Sequence, residues 1–448
     1  MNSQTRQLIK NTIAMAWPTV MESFFVAMAG MIDTWMVSSM GAEAVAAVGL
    51  TTQPKFIGLS LFVANNIAVS ALIARRRGEE RKEDANRILQ TALIFSLVAG
   101  TLVSCVCVYF ASTIIHLCGS ETSTHQAAVS YFRIIMGGMI FNILSLVINA
   151  AQRGAGNTRI AMRTNVTSNV VNVICNYLFI EGHLGFPALG VQGAALATLL
   201  GTIVACIMSI FSILPKNQFV SIQLWKCPKV IEFAKTLQSI FKISYSAMFE
   251  QILLRIGFIS VAVMAAKQGT DAFAAHQVAM NVMSLSFSLG DGMQAAAVAL
   301  IGQSLGREEI QQAKLYGKIS QRIGNLISVA LAVIYLFGGR KYYEMFFSEE
   351  EIVAIGVSIM HIMVFIVPLQ IRQVIYIGCL RGAGDILFTT FTSALSVTIV
   401  RPVMSYVFCY LFGMGIVGIW LGVVCDQICR VILATLRFKS GKWTKIKI

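Results

Sequence analysis

Twelve runs of about 20 predominantly apolar residues follow one another along the chain, the length a helix needs to cross a bilayer. They begin near Ile13, Gly49, Ile88, Tyr131, Thr164 and Gly190, then near Phe241, Ala275, Ile319, Ile352, Phe388 and Val417. In lipid, only helices and closed barrels satisfy every backbone polar group internally, and runs of this length are helical. The pattern predicts an all-α membrane protein with twelve transmembrane helices. Six precede a polar segment and six follow it. The chain therefore divides into an N-terminal six-helix lobe (1–215), a cytoplasmic linker (216–238) and a C-terminal six-helix lobe with a basic tail (239–448).

With 56% hydrophobic and 12% charged residues, the composition is far from that of a soluble domain. The net charge of +14 invites a nucleic-acid reading, but the positions of the 35 Lys and Arg argue against one. The N-terminus, the even-numbered loops and the C-terminal tail hold 26 of them, the odd-numbered loops three, and the spans six. This is the positive-inside asymmetry, which places both termini in the cytoplasm of a multi-pass protein of the cell membrane. The basic loop RRRGEERKEDANR at 75–87 reads as an orientation anchor. No cleavage site precedes the first span, so that span is expected to stay. Neither Cys105/Cys107 nor Cys425/Cys429 has a second His or Cys pair to complete a metal site, so these cysteines read as small packing residues.

The segment QRGAGNTR at 152–159 looks like a phosphate loop, yet LRGAGD repeats it at 380–385, setting Arg153 on Arg381. The same shift superposes GAEAVAA on GTDAFAA, Glu22 on Glu250 and Gly78 on Gly306; beyond the loops it shortens by three, setting GVQGAAL on GIVGIWL. Each copy holds six spans, so the second re-enters the membrane in the orientation of the first. Parallel repeats of this kind are a plan of transporters that rock one half against the other around a central site. The RGAG glycines are expected to allow a tight turn between helices, and the arginines to anchor that turn at the membrane surface.

Ionisable groups at membrane depth cost roughly 2.5 to 3.5 kcal/mol each on insertion scales, so each needs a partner, a cavity or a function. In the first half these are Glu22, Asp33 and Lys55. Glu22 and Asp33 are eleven residues apart, hence on one helical face and roughly 16 Å apart along the axis. The fifth span carries Asn165, Asn169, Asn172 and Asn176 as a single stripe. The stripe either glues helices together or lines a lumen facing Asp33. In the second half the interior charges are Glu250, Arg255, Asp291, Arg372, Arg401, Asp426 and Arg430. Asp426 and Arg430, four apart, read as a structural pair. Arg255, Arg372 and Arg401 either lock helices, in pairs such as Glu250 with Arg255 or Asp291 with Arg401, or line a substrate cavity and receive an anionic group. Pro18, Pro54 and Pro368 are candidates to bend their spans.

WPTVMESFFVAMAGMIDTWMVSSMG, AAHQVAMNVMSLSF, GQSLG and the two RGAG loops resemble the multidrug and toxic compound extrusion (MATE) transporters, of bacterial type, in the multidrug/oligosaccharidyl-lipid/polysaccharide flippase superfamily. The resemblance implies V-shaped six-helix lobes around a central cavity and an antiporter that exports amphipathic compounds or drugs against inward protons or sodium ions. It places Asp33 on a first-helix aspartate that takes part in cation coupling and Asn172 on a polar partner. Asn176 stands where some members carry a second aspartate, a departure that leaves Asp33 to titrate alone or with Glu22. Glu250 falls on a glutamate that helps to bind sodium in sodium-coupled members, whose usual aspartate in span 10 is Gln370 here. That loss of negative charge leaves protons and sodium both open. No cofactor beyond the coupling ion, no nucleic acid and a monomer are expected. The alternatives are a lipid-linked oligosaccharide flippase, whose interior arginines would hold a pyrophosphate, and an exporter of an anionic metabolite. A membrane enzyme finds no support, because HExxH, GxSxG and paired-aspartate motifs are all missing.

Overall fold

The structure, a computed structural model, describes residues 3–120, 122–222 and 230–446. Residues 223–229 of the segment expected as a linker lie outside the described residues. The chain runs through α1 (Ser3–Ser38), α2 (Ala42–Gly78), α3 (Lys82–Tyr109), α4 (Ala111–Leu117), α5 (Thr122–Gly137), α6 (Met139–Ala155), α7 (Thr158–Phe179) and α8 (Gly190–Ser212). It continues through α9 (Val230–Ala266), α10 (Thr270–Gly306), α11 (Ile310–Glu344), α12 (Glu350–Gly382), α13 (Ile386–Ser393), α14 (Arg401–Tyr406) and α15 (Gly415–Ser440). Among the described residues there is no strand.

All twelve apolar runs lie in helices. Ten helices are long and apolar enough to cross a bilayer, one of them running from Ile386 to Leu411, and α5 with α6 forms an eleventh span bent by 45°. The bend falls between Gly137 and Met139, at Gly138, where a side chain would run into Leu199. The remaining run, the fifth, lies in α7, which has 22 residues, but its four asparagines lower its hydropathy below that of the others. Pro18, Pro54 and Pro368 sit inside the continuous helices α1, α2 and α12.

The duplication recurs in backbone detail. Gly41 and Gly269, Glu80 and Glu308, Gly156 and Gly384, and Gly185 and Gly413 all have positive φ, each pair related by the shift that carries Arg153 onto Arg381. Gly190 and Gly415 share the trait at the shorter shift found beyond the loops. In the RGAG turns the two glycines have different tasks. Gly156 (φ +96) and Gly384 (φ +87) adopt the left-handed conformation that ends the helix, as expected of a tight turn. Gly154 and Gly382 permit close approach, for an added Cβ would stand 2.6 Å from Ser70 O and 2.6 Å from Val298 O respectively. Lipid is as apolar as a leucine side chain, so helices in a membrane associate by close packing of small residues. Gly154→Val is therefore expected to force α6 off α2 and destabilise the protein by about 1 to 3 kcal/mol. Thermal unfolding in detergent checks this; an unchanged midpoint would show that the contact is dispensable.

Two compact units form, Met21–Ser244 and Met1–Val20 with Tyr245–Ile448. These limits cut α1 and α9 rather than falling at 215 and 239. Both helices, of 36 and 37 residues, are much longer than the roughly 20 residues of one crossing. Within Met21–Ser244, α6 is central and packs on α2, α3 and α8, while α7 packs on α8. Within the other unit its repeat image, α12, packs on α10, α11 and α15. Among the ten single spans, the first helices of the repeats are the least enclosed: 17% of the apolar window of α1 and 22% of that of α9 are buried, against 61% for α10.

Candidate functional site

The polar interior of the unit Met21–Ser244 is built on α1 and α7. Both are odd-numbered spans, so they run parallel, and the asparagine stripe of α7 meets the acidic face of α1 rung by rung. Asn176 Nδ2 donates to Asp33 Oδ1 at 2.6 Å, and Asn165 Nδ2 donates to Glu22 Oε1 at 2.5 Å. Each donor stands 143 residues beyond its acid, so two rungs set one register. Asn172 joins the upper rung. With its amide oriented to satisfy both ends, it donates to Asp33 Oδ1 at 2.7 Å and to Oδ2 at 3.1 Å, and accepts from Thr198 N at 3.1 Å. The fourth asparagine, Asn169, has its Nδ2 enclosed without a partner among the described residues.

Three further groups surround Asp33. Lys55 on α2 lies within electrostatic reach of it, as does the buried Tyr131 on α5, which is hydrogen-bonded to Thr198 on α8. The carboxylate thus has two amide donors and a nearby ammonium favouring the charged form, against burial favouring the neutral one. Such a balance suits a group that exchanges a proton or a small cation. Lys55 stands out in the sequence as an intramembrane charge; Tyr131 and Thr198 carry no signal among the many hydroxyls of a membrane chain.

The RGAG arginines overturn one expectation. Arg159 is exposed, but Arg153 and Arg381 turn inward instead of anchoring the turn at the surface. Arg153 Nη1 donates to Glu22 Oε1 at 2.9 Å, and Arg381 Nη2 to Glu250 Oε2 at 2.9 Å. The cause is the helix end: Arg153 and Arg381 occupy the last turns of α6 and α12, beside a carboxylate that would otherwise be buried with its charge uncompensated. Ser393 completes the second set, donating to Glu250 Oε1 at 2.6 Å.

The other C-terminal charges also pair differently from expectation. Glu250, 2% exposed, goes to Arg381 rather than Arg255. Arg401 goes to Asp426 rather than Asp291, because α15 brings Asp426 against it while Asp291 accepts from its own helix neighbour Gln294 at 2.8 Å. Asp426 does meet Arg430, at 3.1 Å, and the result is a buried triad of two arginines on one carboxylate. Arg401 lies over the Phe258 ring, 4.6 Å from its centroid, between two π-helical stretches, Ala394–Val400 and Val407–Leu411. Arg372 is exposed, with its carbonyl accepting from Gln321; Arg255 is partly buried. Gln370 is 1% exposed, its Oε1 has no partner among the described residues, and no hydrogen bond joins it to Glu250 there.

Two parallel six-span repeats with acids, amides and arginines held at membrane depth define a multi-pass membrane transporter. The MatE family model matches residues 18–178 and 246–407, once in each repeat. The chain is 26% identical to the probable multidrug resistance protein NorM of Thermotoga maritima, covering 98% of this chain and 94% of that one. It is 25% identical to the multidrug resistance protein MdtK of Yersinia pseudotuberculosis, covering 96% and 95%. Among solved structures, a mutant of the Vibrio cholerae MATE transporter VcmN superposes with a TM-score of 0.90 at 19% identity, covering 98% of each chain. An outward-facing multidrug resistance MATE family transporter superposes with a TM-score of 0.88 at 22% identity, covering 99% of each. The chain belongs to the MatE family, the MATE multidrug efflux transporters.

Proposed function

We propose that this chain is a secondary antiporter of the cytoplasmic membrane, with both termini in the cytoplasm, that exports amphipathic organic compounds as cations return through it. It acts as a monomer, without a cofactor and without enzymatic turnover. The observation that carries the reading is Asp33, a carboxylate within a span, held by Asn172 and Asn176 and faced by Lys55. Its loss or gain of one positive charge alters what α7 and α2 meet on α1, which gives the ion a differential affinity for two arrangements of the helices. Protonation of Asp33 favours release of substrate outside, and deprotonation inside resets the cycle.

The proton is preferred to sodium as the coupling ion. Glu250 has both oxygens engaged by Arg381 and Ser393, and Gln370 supplies no charge, so sodium at Glu250 would have to displace an arginine. Substrate efflux from proteoliposomes, with proton and sodium gradients imposed separately, tests this. We expect the proton gradient alone to drive accumulation; drive by sodium alone would move the coupling to Glu250 and Gln370.

The flippase and anionic-substrate readings need interior arginines that a substrate anion can engage. Of Arg255, Arg372 and Arg401, the last is held by Asp426, which weighs against those readings, while Arg372 is exposed and is the arginine on which they rest. Protection of a pump-deficient host from drugs, against rescue of a flippase-deficient host, separates the two.

A further inference from the structure

The two repeats hold one three-residue contact in duplicate. In the first, Glu22 receives Arg153, 131 residues on, and Asn165, 143 residues on. In the second, Glu250 receives Arg381 and Ser393 at the same two offsets. In each, a carboxylate from the first helix of the repeat is gripped by the end of the fourth span and by the fifth. Both acids are buried, with side-chain exposures of 10% and 2%. A charge so enclosed persists only when paired, and taking away one partner leaves the other uncompensated.

The surrounding packing makes this grip consequential. α1 and α9 are the least buried of the single spans in their repeats. Each still makes one close backbone approach, α1 at Val20 to Gly292 of α10 and α9 at Gly257 to Val397. Beyond the approach at Val20, side-chain ties at Glu22 and Asp33 join α1 to α6 and α7 and fix its register against α7. Along α1 that register matters three turns beyond Glu22, where Asp33 must meet Asn176 and Asn172. The second repeat has the tie without that consequence. The shift that carries Glu22 onto Glu250 carries Asp33 onto the buried apolar Val261.

We propose that Arg153 is a positioning residue for cation coupling. By clamping Glu22 together with Asn165, it holds α1 in register with α7, so that Asn172 and Asn176 reach Asp33. Glu22 serves as a fixed anion in that clamp and is not itself the exchanging group. The inference rests on the assignment of coupling to Asp33, and the duplicate Glu250–Arg381 clamp is its internal control.

The test compares Arg153→Ala, Arg381→Ala and the exchange Glu22→Arg with Arg153→Glu in the full-length protein reconstituted in liposomes. Arg153→Ala is expected to shift the cation concentration for half-maximal efflux at least about tenfold, that is, by the free energy of one lost charged contact. Arg381→Ala is expected to lower yield and thermal stability to a similar degree, with the cation dependence of its remaining efflux unchanged. The exchange is expected to bring the half-maximal concentration back toward the wild-type value. An unshifted cation dependence in Arg153→Ala, or an equal shift in Arg381→Ala, overturns the proposal. A readout free of transport separates its failure from that of the Asp33 assignment. Val26→Cys with Asn169→Cys, a pair on the faces of the two rungs and at the rungs' own offset, reports the register by its crosslinking yield once the native cysteines are replaced. A fall in that yield on Arg153→Ala supports the clamp even if Asp33 proves not to couple, and an unchanged yield sinks the clamp even if Asp33 does.

Discussion

Asp33→Asn is expected to abolish ion-driven accumulation while leaving a folded protein that equilibrates substrate downhill. One charge returning through 100 mV supplies about 2.3 kcal/mol. At about 1.4 kcal/mol per factor of ten, this sustains roughly a 50-fold substrate gradient. The variant removes that contribution without changing side-chain volume. Its amide keeps an acceptor for Asn176 Nδ2, so α1 and α7 stay tied, but it can no longer bind or release a proton beside Lys55. The measurement is the steady-state ratio of substrate across proteoliposome walls at a fixed imposed gradient, with binding of substrate to purified protein as the control for folding. If the variant holds a gradient like that of the wild type, coupling lies elsewhere, and Glu250 is the next acid to examine.

The architecture is legible because the membrane leaves few options. Twelve apolar runs and a constant shift between the RGAG copies imply helices and parallel repeats, and those helices and paired positive-φ residues are what the chain forms. Helical periodicity also puts Glu22 and Asp33 on one face of α1 and the asparagines on one face of α7, which is where they meet. Periodicity stops at the helix, however. It says which face is polar but not which distant helix fills it, so Arg153 reads as a surface anchor, and Glu250 and Arg401 draw the wrong partners. One signal could have found the clamps. Inside each repeat an acid and an arginine stand 131 residues apart, the only charges of the RGAG turns and first helices that survive at matching positions. Opposite charges retained at one offset in both copies point to contact. The Arg401–Asp426 pair has no such image, since the longer shift, which still holds at Gly413, sets Arg401 on Val173, and the shorter one sets Asp426 on Gly201.

That asymmetric triad makes the second large prediction, one of stability. Asp426 is fully buried, and its two oxygens hold Arg401, at 3.1 Å through Nε and 2.5 Å through Nη2, and Arg430, at 3.1 Å. Ser396 adds a further acceptor for Arg430, at 2.9 Å, and the Phe258 ring lies beneath Arg401. With two cations on one anion, the carboxylate is what makes the arrangement tolerable. Asp426→Leu would leave two buried guanidinium groups repelling each other and is expected to cost about 3 to 5 kcal/mol. Arg430→Met should cost much less, because Arg401 keeps both of its bonds to Oδ2 and the remaining pair is neutral. Replacing all three by Arg401→Met, Asp426→Leu and Arg430→Met should recover most of the loss, as an apolar cluster of similar volume carries no desolvation penalty. Thermal unfolding in detergent ranks the three variants. If Asp426→Leu unfolds at the wild-type temperature, water reaches the cluster and the two arginines are not held by charge. If the triple replacement is stable but no longer transports, the triad serves the conformational cycle rather than the fold, and the π-helical stretches on either side of Arg401 are then where that motion is to be sought.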